Sequence, residues 1–160
     1  MVEKLISGGQ SGADEAGLEA GYRLSIKTGG TMPKGFKTLD GPRPDLAKKY
    51  GLTESTSWSY AVRTAENVKN SDGTVRFAND FNSAGERCTL KFITLYIRPY
   101  FDIKFGDLST ETIDKFRKWL SLYKIRTLNV AGNSEKTCTG MFNFVVEFLI
   151  EALGGIGSIT

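Results

Sequence analysis

The chain has 160 residues, 40% of them hydrophobic and 24% charged, which predicts one soluble globular domain over residues 1–160. A net charge of +3 is too weak for a protein that tracks a phosphate backbone, so no nucleic-acid partner is expected. With 0 histidines, the Ser-His-Asp triad, the Cys-His dyad and every histidine-ligated metal site are excluded.

Lys4 to Ser7 reads as a short strand that stops at Gly8-Gly9. A helix follows from about Gly12 to Leu24. Its small residues Ala13, Ala16, Gly17 and Ala20 form a stripe that lets it lie close to a sheet. Asp14 and Glu15 in its first turn suit the helix dipole. Ile26 to Thr28 is a second strand. Gly29 to Ser57 then holds Pro33, Pro42, Pro44 and five glycines, and reads as one long irregular loop.

The next helix is predicted over Ser59 to Asn70, with Ala61, Ala65 and Val68 inward and a second, polar face of Tyr60, Arg63, Thr64 and Asn67. Thr74 to Ala78 is a third strand. Leu90 to Arg98 is rich in β-branched and aromatic residues, but Leu90, Ile93 and Ile97 keep helical spacing and Pro99 stops the run. Tyr100 to Phe105 is a fourth strand. Ser109 or Thr110 caps a helix whose buried stripe is Ile113, Phe116, Leu120 and Tyr123. Thr127 to Ala131 is the fifth strand, and Gly140 to Leu153 the last helix, apolar over a wide face. Five strands alternating with five helices describe an α/β fold with a mainly parallel sheet covered on both faces.

Cys88 and Cys138 are isolated, so free thiols in a reducing cytosol are expected, with no metal held by protein side chains. The N-terminus shows no basic stretch leading into a long apolar one, so no signal peptide is expected. Met141 to Ile150, the most apolar segment, is too short to span a membrane and is interrupted by Asn143 and Glu147. The expected location is cytoplasmic, with no membrane partner.

Ligands of open α/β sheets sit beyond the carboxyl ends of the strands. Ser7-Gly8-Gly9-Gln10-Ser11-Gly12-Ala13-Asp14 is the first such loop. Glycines let backbone N–H groups turn toward an anion at a helix N-terminus, and Ser7 and Ser11 add hydroxyl donors. The same glycines equally serve a tight turn. Neither the Walker spacing nor GxGxxG is present. Arg63 offers a planar fork for phosphate or carboxylate, or simply lies on a solvated face. Glu54 either accepts from a ligand N–H or caps the helix near Ser57. Asp14 is a dipole partner or a ligand contact, and Lys34 and Lys37 are solvated or phosphate-facing.

Ile6 to Asp14 resembles the opening signature of the family named putative molybdenum carrier, usually written ISGGQTGAD. The likeness continues through Thr28-Gly29-Gly30, Pro33-Lys34-Gly35, Leu52-Thr53-Glu54, Tyr60 to Val68, Ser71 to Thr74, Gly85 to Lys91 and Leu128 to Gly132. These blocks keep their order over nearly the whole chain. Ser11 stands for the usual Thr, and Asn133-Ser134-Glu135-Lys136 for the common Pro-Arg-Glu-Ser. The PGGxGTxxE motif of the related lysine-decarboxylase-like (LOG) proteins is absent, with Ser83 to Arg87 in its region.

The resemblance implies a Rossmann-like three-layer sandwich and a homo-oligomer, a homodimer or homotetramer. It also implies a role in holding molybdenum cofactor (molybdopterin). With it, the candidate ligand-binding residues are Ser7, Gly8, Gly9, Gln10, Ser11, Gly12, Asp14, Lys34, Gly35, Glu54, Tyr60, Arg63, Asn67, Gly85, Thr89, Ala131 and Gly132. The leading expectation is a carrier that holds a phosphorylated pterin or nucleotide-like small molecule without turning it over. The alternatives are a phosphoribohydrolase of the LOG type, using Asp14, Glu54 or Glu86, and a nucleotide-sensing module.

Overall fold

The computed structural model describes residues 1–155. The elements in chain order are β1 (Lys4–Ile6), α1 (Ala13–Arg23), β2 (Lys27–Gly29), β3 (Thr31–Met32), a 3-10 turn (Lys34–Phe36), β4 (Lys37–Thr38), β5 (Gly41–Pro42) and α2 (Pro44–Tyr50). Then come β6 (Thr53–Glu54), α3 (Tyr60–Lys69), β7 (Gly73–Ala78), α4 (Ala84–Tyr96), β8 (Tyr100–Lys104), α5 (Thr110–Leu122), β9 (Thr127–Gly132) and α6 (Met141–Gly154).

Five strands form one sheet in the order β2-β1-β9-β7-β8, every pair parallel. Val75 at its centre pairs with Val130 on one side and Phe101 on the other. Helices cover both faces, which gives the Rossmann-like three-layer α/β sandwich. All six residues of β7 are buried, as expected for a strand covered on both faces. One of them is Arg76, whose charge is matched by two bonds to Asp102, at 2.7 and 2.6 Å. The core packs Phe77, Phe116, Phe144 and Phe148 edge to face or tilted between α5, α6 and the sheet.

The small-residue stripe of α1 has the expected effect. A Cβ on Gly17 would sit 2.6 Å from Val130, so the helix lies directly on β9. Ser59 caps α3 by accepting from the Ala61 amide at 3.2 Å, and Ser109 caps α5 by accepting from the Thr112 amide at 3.2 Å.

The segment expected as one loop, Gly29 to Ser57, is folded. It holds α2 and two small sheets, β3 with β6 and β4 with β5. Leu46, Ala47, Tyr50 and Leu52 bury themselves with Leu18 and Met32 in a second apolar cluster against α1. The helix expected over Leu90 to Arg98 begins earlier, at Ala84, and ends at Tyr96, before a left-handed Ile97. On α5 the buried position belongs to Trp119. Tyr123 lies past the helix end and is half exposed.

Candidate functional site

From β1 the chain moves outward to β2, from β7 it moves the other way to β8, and β9 closes the gap between them. This is the switch point at which strand-end loops diverge and leave a crevice. A cavity of about 360 Å³ lies there, at the carboxyl ends of β1, β7 and β9. Four segments wall it: Gln10 and Asp14, then Tyr60, Arg63 and Thr64 on α3, then Ser83 to Glu86 with Cys88 and Thr89 on α4, and Ala131 to Ser134 with Thr137 after β9. Leu39 reaches it from the β4–β5 turn.

The glycine-rich loop is built differently from a bare anion cradle. Its amides are largely met from within. Gly9 N donates to Ser7 Oγ at 3.3 Å, Gln10 N to Asp14 Oδ2 at 3.2 Å and Ser11 N to Gln10 Oε1 at 3.1 Å. Ala13 N donates to the Asn133 carbonyl at 3.2 Å. Ser7 is fully buried, and its hydroxyl donates to the Asp14 carbonyl at 2.8 Å. The Asp14 carboxylate thus takes one of the amides an anion would have used. Gly12, at φ +86, packs against the loop after β9, where a Cβ would meet the Asn133 carbonyl at 2.5 Å.

Asp14 is 4% exposed, and burial pushes its carboxyl up to about 6, against the pull of the Arg63 guanidinium 3.4 Å away. Arg63 spends Nη1 on Asp14 and stacks over Tyr60, with its guanidinium carbon 5.6 Å from the ring centre. Its Nε is buried without a partner, as is Ser11 Oγ. Such orphans are rare in folded proteins, and they cost stability unless something else meets them.

Across the cavity, α4 opens with Ser83 as N-cap. The first helical bond runs from Arg87 N to the Ser83 carbonyl at 3.0 Å. By helix geometry the amides of Ala84, Gly85 and Glu86 have no helical acceptor. Ser83 does not cap them with its side chain, and instead donates to Glu86 Oε2 at 2.5 Å. A Cβ on Gly85 would meet nothing within 4 Å, so this helix start is open. Glu86 itself is 4% exposed, and burial raises its carboxyl above the usual range.

The structure therefore brings Gln10, Asp14, Tyr60, Arg63, Gly85, Thr89, Ala131 and Gly132 to one cavity. Ser7, Gly8, Gly9, Ser11 and Gly12 lie behind its wall. Lys34, Gly35 and Glu54 form a separate cluster, in which Glu54 Oε2 accepts from the Gly35 amide at 2.6 Å and Lys34 lies 5.5 Å from the Trp58 ring centre. Asn67 turns inward, 2% exposed, and bonds both backbone groups of Thr31, at 2.9 and 3.0 Å. Among the wall residues, Ser83, Glu86 and Asn133 were not in the expected ligand set. Ser83-Ala84-Gly85-Glu86 has the capping-box spacing that marks a helix start, a signal that would have moved the expected start of α4 from Leu90 back to Ala84. Among the described residues no three Cys, Asp or Glu side chains gather to hold a metal ion, and no helix is long and apolar enough to cross a membrane.

A crystal structure of a protein from Syntrophus aciditrophicus SB, named Putative molybdenum carrier protein, superposes with a TM-score of 0.85 at 29% identity over 94% of each chain. No curated protein matches this chain. Residues 5–153 match the model of the circularly permutated YpsA SLOG family, and the chain belongs to that family.

Proposed function

We propose that this protein binds and holds a phosphorylated, ring-bearing small molecule in the strand-end cavity, with molybdenum cofactor as the specific cargo, and that it does so as one Rossmann-like domain. One observation carries the reading. The open start of α4 and Arg63, whose Nε has no partner among the described residues, line the same cavity. Such donors suit a phosphate. At about 360 Å³ the cavity lies within the usual range for small-molecule sites. Asp14 and Glu86 supply acceptors for ring N–H groups. The name of the Syntrophus protein supports the choice of cargo.

The phosphate is thereby assigned to α4 and Arg63 rather than to the loop after β1, where the amides of Gly9, Gln10 and Ser11 already donate to Ser7, Asp14 and Gln10. Native mass spectrometry of protein purified without oxygen, followed by calorimetric titration with molybdopterin, tests this. Binding that falls about tenfold or more in Arg63→Ala supports it. A cavity that takes up neither molybdopterin nor a nucleoside monophosphate would overturn it.

A second reading has its own observation. Two carboxyls with raised proton affinity, Asp14 and Glu86, line one cavity, as general acid–base work requires. Release of free base from a nucleoside monophosphate, followed by chromatography and abolished in Asp14→Asn, would favour an enzyme over a carrier. We place the protein in the cytosol, where the free thiols of Cys88 and Cys138 persist. The proposed assembly is a homodimer or homotetramer, supported by the exposed Leu95 and Ile97 at the end of α4. Light scattering checks it.

A further inference from the structure

We propose that Glu86 is the specificity-determining residue of this cavity. It selects phosphorylated ligands that carry a hydrogen-bond donor, a ring N–H or a sugar hydroxyl, beside the phosphate, and Asn133 is the residue that positions it. The inference rests on the binding role proposed above.

Glu86 sits in the first turn of α4, next to the open amides. Both of its side-chain hydrogen bonds fall on one oxygen. Oε2 accepts from Ser83 Oγ at 2.5 Å and from Asn133 Nδ2 at 2.8 Å. Among the described residues Oε1 receives no donor from another residue, and Glu86 lines the cavity. A carboxylate has about four lone-pair sites, so half its accepting capacity is left for a ligand. Among the described residues no cation pairs with it directly. The nearest guanidinium, Arg76, gives two bonds to Asp102 and its third to the Glu86 main-chain carbonyl, at 2.9 Å.

Asn133 cannot turn its amide over. Its Oδ1 accepts from the Asn79 backbone amide at 2.8 Å, and its own N–H donates to the Phe77 carbonyl at 2.9 Å. With Oδ1 fixed by a backbone donor, Nδ2 must face Glu86. The ends of β7 and β9 thus hold the carboxylate in one orientation. Asp14 is placed otherwise, since its carboxylate is paired with a cation, the Arg63 guanidinium at 3.4 Å.

An unpaired carboxylate beside a phosphate site does two things. It repels a bare phosphate, whose negative charge comes close to the carboxylate and whose only O–H sits on the charged group itself. It rewards a ligand that places N–H or O–H on Oε1, because a hydrogen bond to a charged acceptor is among the stronger ones. The selectivity thus combines a repulsive and an attractive element.

Calorimetric titration of the full chain with four probes tests this: inorganic phosphate, ribose 5-phosphate, guanosine 5′-monophosphate and its 2′,3′-dideoxy analogue. In the unaltered protein the nucleotide should bind at least about tenfold more tightly than phosphate. Glu86→Ala should weaken nucleotide binding about 10–100-fold while phosphate binding holds or tightens. Asn133→Ala should lower the same ratio by a smaller factor, and lower it no further in the double variant. Glu86→Gln, which keeps the shape, serves if the alanine variant does not fold. Loss confined to ligands with hydroxyls identifies a sugar contact, and loss retained in the dideoxy analogue identifies a ring contact. Equal weakening of phosphate and nucleotide in Glu86→Ala, or no change in either, overturns the proposal while leaving the cavity as a binding site. Failure of all four probes on the unaltered protein overturns this inference, and only failure of molybdopterin as well removes the binding reading.

Discussion

The guanidinium of Arg63 lies against the backbone of Gly8, so closely that a Cβ there would come within 2.2 Å of Nη1. The glycine is thus needed by an arginine and not by a turn. Gly8 is not at positive φ, so alanine's own backbone accepts the site. The atom displaced is the end of a long side chain, which can swing. Gly8→Ala should therefore fold with little change in melting temperature, yet move Arg63 off Asp14. Affinity for a phosphorylated nucleotide should drop about tenfold, or about 1.4 kcal/mol. Arg63→Ala on top of it should add almost nothing, since both remove one interaction. Additive losses would show that Gly8 acts independently of Arg63.

Asp14 makes stability depend on pH in an unusual direction. Its carboxyl titrates near about 6 in the fold against an ordinary 3.8, chiefly because it is buried. Between those values the folded chain keeps a proton that the unfolded chain has lost. Stability should therefore fall as pH rises from about 4 to about 6, then level off, by about 3 kcal/mol in all. Asp14→Asn carries no such proton, so the difference between the two proteins should run through that window and be flat outside it. Urea unfolding at half-unit pH steps measures it. Parallel curves for the two proteins would remove Asp14 as the cause.

The strand and helix order was legible because each element carries its own signal. Periodicity marks α1, α3 and α5, and β-branched runs mark β7 and β9. The segment from Gly29 to Ser57 carries almost none. Its strands are two residues long; β4 and β5 pair as a minimal hairpin, and β3 pairs with β6 across more than twenty residues. Only α2 left a trace, with Pro44 at its first turn and Gly51 left-handed just after its end. The site was half legible. Arg63 and Asp14 could be named from residue type and place. Which way a polar group faces is a tertiary fact: Asn67 and Arg63 share a helix face by spacing, yet one bonds Thr31 and the other lines the cavity.

Gly132 shows what a structural glycine looks like beside Gly8. It has φ +150, and a Cβ would fall 2.0 Å from the Phe77 carbonyl and 2.9 Å from Ala13. Neither neighbour can yield, because one is the backbone of β7 and the other is the first residue of α1. Gly132→Ala should cost about 3 kcal/mol or more, with unfolding visible in the melting temperature before any ligand is added. A variant that melts like the original would mean the ends of β7 and β9 are looser than their register suggests.

Asn67 is the anchor of the folded excursion. Its amide group accepts from Thr31 N at 2.9 Å and donates to the Thr31 carbonyl at 3.0 Å, so it stands in for a neighbouring strand at β3. Both bonds are buried, and α3 is the only element that supplies them. Asn67→Ala would strand one backbone donor and one acceptor away from water. Each orphan costs about 1–3 kcal/mol, so a loss of about 2–4 kcal/mol is expected. The damage should be local first. Thr31 to Glu54 should exchange backbone hydrogens faster, while β7 and β9 keep their protection. Asn67→Asp keeps the acceptor but loses the donor, and should fall between the two. Titration separates this role from ligand binding: at a temperature where Asn67→Ala is folded, its nucleotide affinity should stay within about twofold of the original. A large loss of affinity in a well-folded Asn67→Ala would put Asn67 in the binding site after all.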